Sequence, residues 1–140
     1  MKSLRFLLLT LLLSGCAGAA RQDPTVEVHL MNAGARPLQC RLIFGHWVDR
    51  DLGVLGPGAE SGFTIQQSPK DGALYIMRSD GARRMMIENL FCAEPGKVET
   101  TLGQVDFAPA RSARTSRIDA RCAAGPDGGR VSCSPLTLTP

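Results

Sequence analysis

His29 and His46 are the only imidazoles in the chain, and so the first residues to test for acid–base or metal chemistry. Around the second lies the densest run of reactive and recognition-prone types, FGHWVDRDLG from Phe44 to Gly53, with the one tryptophan, Trp47, and the charges Asp49, Arg50 and Asp51. A shared metal needs both imidazoles on one ion. With the first two strands paired as a hairpin across Asn32–Arg36, His29 falls near Cys40. His46 then lies about 20 Å further along, at about 3.3 Å per residue. That spacing argues against a joint site, and no metal ligand is assigned. Asp49 and Asp51 flank Arg50 in what reads as a loop, where local ion pairing is a simpler use than general acid–base work, which needs a cleft. There is no GxSxG elbow and no Gly-rich phosphate loop, so no catalytic residue and no cofactor is assigned. Two uses remain for the stretch. The first has Trp47 plugging the end of a sandwich while the polar residues cap the turn. The second makes His46, Trp47, Asp49, Arg50 and Asp51 a partner-binding patch, because Trp and Arg are enriched at binding hot spots and loops often carry binding.

The elements that would hold these residues begin after an address. The chain opens MKSLRFLLLTLLLSGCAGAA. Lys2 and Arg5 give a positive start, Phe6 to Leu13 an apolar run broken only by Thr10, and small residues follow. This is the layout of a secretory signal and is too short to span a bilayer. Leu13-Ser14-Gly15-Cys16 resembles the lipobox of bacterial lipoproteins. The resemblance implies cleavage before Cys16, a signal peptide over 1–15, and diacylglyceryl and amino-terminal acyl chains on Cys16. Each buried CH₂ of such chains contributes roughly 0.8 kcal/mol, so several chains anchor durably. Among Gram-negative lipoproteins an Asp just after the lipidated Cys resembles an inner-membrane retention signal. Ala17 stands there instead, which for such a host favours the outer membrane, facing the periplasm, over the inner one. Residues 16–25 then read as the lipidated cysteine and a small, polar, Pro-containing tether.

Of five cysteines, Cys40, Cys92, Cys122 and Cys133 remain after Cys16. An even number in an exported chain reads as disulfides. Zinc would need close CxxC or HxxxH spacings, and none is present. A Cys–His nucleophile would need a free thiol, and the even count leaves none. Three pairings are open. The apolar run Leu90-Phe91-Cys92 puts Cys92 near the core, in reach of inward Cys40 if their strands neighbour, and the favoured set is Cys40–Cys92 with Cys122–Cys133. The whole chain is formally +3. Lys2 and Arg5 leave with the signal, so the mature balance is +1, which argues against nucleic acid as a partner.

Val26 to Leu30 alternates apolar and polar, with His29 on the polar face beside Glu27. Asn32-Ala33-Gly34 is a turn signal. Leu38, Cys40, Leu42 and Phe44 make a second strand with Cys40 inward, and Phe63 and Ile65 a later one. Ser79-Asp80-Gly81-Ala82 between Ala73–Met77 and Met85–Ile87 predicts a central hairpin covered on both faces. Val98–Phe107 reads as a further strand and Ala108–Ser112 as a loop. Centring a hairpin on Asp127-Gly128 puts Cys122 opposite Cys133, with Pro126 widening the loop. Arg111, Arg114, Arg117 and Arg121 have helical spacing without an apolar stripe. They form a basic segment that could dock on anionic headgroups or lie as a solvated strand face.

No helical pattern exceeds two turns. The expectation is an all-β domain over 26–140, a small β-sandwich or barrel of about seven or eight antiparallel strands. It is stapled by two disulfides and ends in a disulfide hairpin near 115–138. Length leaves room for one core. This architecture is similar to envelope lipoproteins that bind other proteins, including membrane-bound lysozyme inhibitors, although none of the inhibitor loop motifs is present. The expected role is a non-enzymatic, membrane-anchored binding or structural module of the envelope. An inhibitor of a lytic enzyme and a small hydrolase or metal-dependent enzyme using His29 or His46 stand as alternatives.

Overall fold

The computed structural model describes residues 22–45 and 48–140. The signal segment, Cys16, His46 and Trp47 lie outside the described residues. Ten strands form: β1 (Thr25–Asn32), β2 (Leu38–Phe44), β3 (Val48–Leu55), β4 (Glu60–Gln67), β5 (Leu74–Met77), β6 (Arg84–Ala93), β7 (Gly103–Val105), β8 (Arg117–Ala123), β9 (Ser132–Cys133) and β10 (Thr137–Thr139). Two one-turn helices interrupt them, α1 (Val98–Thr101) and α2 (Ala108–Ser112). The protein is all-β and sandwich-like, as its alternation requires.

Strand order is β10-β8-β1-β4-β5-β6-β2-β3, with β7 also on β6 and β9 also on β8. β1 alternates exposed Glu27 with buried Val26, Val28 and Leu30. Those side chains join Leu38, Leu42 and Phe44 of β2, Leu90 of β6 and Ile118 of β8 in one core. The ten-residue β6 serves both layers. Its first part pairs with β5 through Tyr75↔Met86, and its second with β2 through Leu42↔Leu90 and with β7 through Leu90↔Val105. Between them the register slips, Ile43 facing Asn89 and Phe44 facing Ile87. Glu88 is the extra residue, a bulge that bends the strand from one layer to the other. The two layers also meet where the Val131 N–H donates to the Thr101 carbonyl at 2.7 Å. There Gly103 is needed for close approach, because a Cβ on it would lie 2.1 Å from the Val131 carbonyl oxygen.

Both expected disulfides form. Cys40 faces Cys92 across β2 and β6, and Cys122 faces Cys133 across β8 and β9, each with Cα atoms 4.1 Å apart. The loop joining β8 and β9 is wide, with Asp127 and Gly128 in the left-handed region at φ 55° and 78°. The Asp80-Gly81 hairpin also forms, pairing Met77 with Arg84. Only β5 is covered on both faces, with Leu74, Tyr75 and Ile76 buried, whereas Met86 on the other arm is 41% exposed.

Several expectations are corrected. Ten strands stand where seven or eight were expected, because β7, β9 and β10 are only two or three residues long. One pair is parallel rather than antiparallel, β1 with β8. β1 and β2 are not a hairpin, since β1 pairs with β4 and β8. The reason is Asn32, which is fully buried. Its Nδ2 donates to the carbonyls of Arg36 (2.7 Å), Leu55 (2.9 Å) and Gly56 (3.1 Å), while its Oδ1 accepts from the Gly34 N–H (3.0 Å). The residue ties three segments together and sends the chain across the core. Val98–Phe107 is not one strand. The Thr101 hydroxyl donates to the Lys97 carbonyl and accepts from the Glu94 N–H, closing a helical turn before β7 begins. Ala108–Ser112 is helical rather than loop, with Pro109 in its first turn, where its missing N–H costs nothing.

Glu94, buried at the end of β6, receives Arg36 Nη1 at 2.8 Å and Lys97 Nζ at 3.3 Å. The Arg36 hydrogen bond is the main cause that holds its carboxyl below the ordinary value of 4.5. A depressed carboxyl stabilises the fold above the unfolded value, and that contribution disappears as pH falls through the folded value. Glu94→Gln is therefore expected to be less stable than the wild type at neutral pH. The gap should close on acidification, read as converging urea midpoints.

Candidate functional site

The run Val48–Leu55 is an edge strand, not a loop. Its charges look like loop residues in sequence because the strand overhangs the core and buries little until Leu55. Asp49 lies opposite Ile43 and Asp51 opposite Arg41. Across these rungs Arg41 Nη1 reaches Asp49 at 3.3 Å, and Gln39 Nε2 donates to Asp51 at 3.2 Å. Asp51 also accepts the Gly53 N–H at 2.8 Å. That amide first, then Gln39, lowers its pKa. A carboxylate held ionised in this way is suited to pairing with cations and donors and is a poor proton donor near neutrality.

Arg50 lies opposite Leu42, on the other side of the strand. It lines a shallow groove of about 300 Å³ with Thr64, Gln66 and Ile76. Gln66 Oε1 is buried without a hydrogen-bond partner among the described residues. The outward face of β3 continues across β2 onto β6. There Ile43, Phe91, Val98 and Leu102 surround an apolar groove of about 290 Å³, flanked by Gln39 and Arg41. Val48 and Val54 on the edge strand are 47% and 57% exposed. Sequence reading singled out the charges of this region but missed its apolar centre. Ile43 and Phe91 have the strand parity that would have revealed it, whereas Val98 and Leu102 arrive through α1.

His29 stands elsewhere. Its Nε2 is 3.7 Å from Glu27 on the same strand, and its register partner on β8 is Asp119, itself held by Arg117 at 2.7 Å. β3 does approach the start of β1, since Thr25 and Arg50 line one groove, but His29 lines neither that groove nor the one at Ile43 and Phe91. No group of three or more His, Cys, Asp or Glu that could hold a metal occurs among the described residues. No described helix is long and apolar enough to cross a membrane.

The four arginines with helical spacing are divided. Arg117 and Arg121 lie on β8, Arg111 is in the last turn of α2, and Arg114 lies between the two elements. Arg117 is bound to Asp119, which raises its pKa further and lowers that of Asp119. Arg111 Nη2 donates to the Ile87 and Glu88 carbonyls at 2.9 and 3.3 Å. Arg111 and Arg114 border a second, mostly apolar cavity of about 390 Å³ with Pro24, Gln67, Thr115 and Ser116. Comparison of the chain with protein families, with curated proteins and with solved structures finds no match in any of the three.

Proposed function

We propose that this chain is a lipid-anchored protein of the bacterial cell envelope, attached through Cys16 to the outer membrane, whose β domain binds another envelope protein without a catalytic step. The anchor rests on the lipobox resemblance. The binding role rests on one observation, the outward face that runs from Asp49 and Asp51 on β3 to the groove of Ile43, Phe91, Val98 and Leu102. An apolar centre beside charged and amide-bearing side chains is the usual anatomy of a protein interface. The partner covers this face rather than adding a strand to the β3 edge. Alternating charges at Asp49, Arg50 and Asp51 blunt that edge, as charged edge strands commonly do.

The test places a photo-crosslinking amino acid at Val98, which is 49% exposed, or at Arg121 on β8 as a control, in cells that make the protein. The expected result is one crosslinked protein from position 98, at least about tenfold weaker when Ile43→Lys puts a charge into the groove, the scale on which buried interface anchors act. Trp47→Ala tests the contribution expected from the sequence alone. Equal crosslinking from positions 98 and 121, or none from 98, would remove this reading. The mass of Cys16 in the native protein, with or without acyl chains, checks the anchor separately.

A further inference from the structure

The cavity bordered by Arg111 and Arg114 lies where the chain first joins the β domain. The Pro24 carbonyl accepts the Gln67 N–H at 2.9 Å. One residue earlier, the Asp23 carboxylate accepts the Tyr75 hydroxyl at 2.7 Å and pairs with Arg84 at 3.0 Å. The Arg84 guanidinium in turn lies 4.5 Å over the Tyr75 ring. The strand start is thus pinned. The seven Cα–Cα steps from Cys16 to Asp23 can span at most about 25 Å when fully extended. If Cys16 carries the anchor, this end of the domain stays beside the bilayer.

The cavity itself is firmly built. Buried Gln67 donates to the Ala110 and Ala113 carbonyls at 2.8 and 2.7 Å, fixing α2 and the segment after it. Gly72, at φ 70°, lets the β4–β5 turn lie directly on Arg111, where a Cβ would sit 1.9 Å from the Arg111 carbonyl oxygen. The walls are mostly apolar, from Pro24, Thr25, Pro69 and Ala113. No Asp or Glu lines the cavity, whose lining also includes Pro140. Arg111 spends Nη2 on the Ile87 and Glu88 carbonyls, which leaves Arg114 as the lining arginine with no such commitment among the described residues. Arg114 is exposed and forms no ion pair among the described residues.

A mostly apolar hollow with the uncommitted Arg114 at its wall, held at the end from which the tether leaves, is complementary to a molecule with an anionic head and an apolar body. We propose that this cavity seats the phosphate and glycerol region of an anionic phospholipid from the membrane that carries the anchor, fixing how the domain stands on the bilayer. The proposal uses the envelope reading only to locate the bilayer.

The test uses the mature chain from residue 16 with Cys16→Ala, so that no acyl chain contributes to binding. It is sedimented with vesicles of phosphatidylcholine alone or of phosphatidylcholine with phosphatidylglycerol. Binding is expected only to the anionic vesicles, weakened at least about tenfold by Arg114→Glu. Ser112→Trp, which fills the cavity without changing charge, should weaken binding as well. Arg121→Glu, the same charge change on β8, should have little effect. Equal loss from Arg114→Glu and Arg121→Glu, or full binding by Ser112→Trp, would replace a seated lipid with diffuse attraction and overturn the proposal. So would absence of binding to anionic vesicles, or complete competition by inorganic phosphate at concentrations that leave vesicle charge unscreened. The mass of Cys16 in the native protein reads the anchor independently, so failure of one reading is not mistaken for failure of the other.

Discussion

Replacing Cys40 and Cys92 together by alanine is expected to destabilise the domain by about 4 kcal/mol, more than the about 3 kcal/mol expected for the Cys122/Cys133 pair. The difference comes from the unfolded chain. The first bond joins residues 52 apart and the second residues 11 apart, and closing the longer loop removes more conformational freedom from the unfolded ensemble. Packing acts in the same direction. Cys40 and Cys92 are both fully buried between β2 and β6, whereas Cys133 is only partly covered. Urea unfolding of the two double variants under non-reducing conditions gives the ranking directly. If the Cys122/Cys133 variant were the weaker, loop closure would not be the leading contribution, and the β8–β9 hairpin would have to matter for more than its own pairing.

Asn32→Ala should cost about 3 kcal/mol, a large effect for removing part of one side chain. Its amide makes three donor contacts and one acceptor contact, and the Leu55 carbonyl among its partners is buried. Each lost bond is worth about 1 kcal/mol net, and a buried group left unpaired costs about 1–3 kcal/mol. Asn32→Asp gives a sharper check. A carboxylate there would face the three carbonyl oxygens that the amide NH₂ now serves. At neutral pH it should be less stable than Asn32→Ala. Burial and carbonyl neighbours raise the pKa of such a carboxyl. Its penalty is therefore present above that raised value and relieved as pH falls through it, when the acid regains a donor. A variant with Asp at 32 that gains nothing on acidification would show that the Asn32 amide is not the tie between the segments.

What could be read from sequence was set by how locally each feature is determined. Cys122 opposite Cys133 follows from counting outward from Asp127-Gly128, and Cys40 beside Cys92 from an alternating run that turns Cys40 inward and an apolar run that carries Cys92 into the core. The errors arise where a residue's role depends on a distant contact. Asn32 looks like a turn residue, and its function as a buried clamp is visible only once Leu55 and Gly56 arrive from another strand. Thr100 and Thr101 favour a strand by type, yet the Thr101 hydroxyl closes a helical turn on Lys97 and Glu94. Asp49, Arg50 and Asp51 have the polarity of a loop because an edge strand that overhangs the core needs no apolar face. The same blindness hid both candidate surfaces. The groove at Ile43 and Phe91 needs α1 to complete it, and the cavity at Arg114 needs both the start of β1 and the turn after β4.

The parallel pairing of β1 with β8 also dictates an order of assembly. Glu27 meets Arg117, 90 residues later, whereas β2 to β6 and their disulfide need nothing beyond Ala93. A chain made from its first residue onward can therefore close the β2–β6 layer early, but must leave one side of β1 open until nearly the last strand emerges. During that interval β1 is an edge with Val26, Val28 and Leu30 on one face, the kind of segment that captures other chains. Distant pairing also makes for slow folding. The vulnerable moment of this protein is thus the wait before β8 arrives, and a holding chaperone would protect it there by shielding β1.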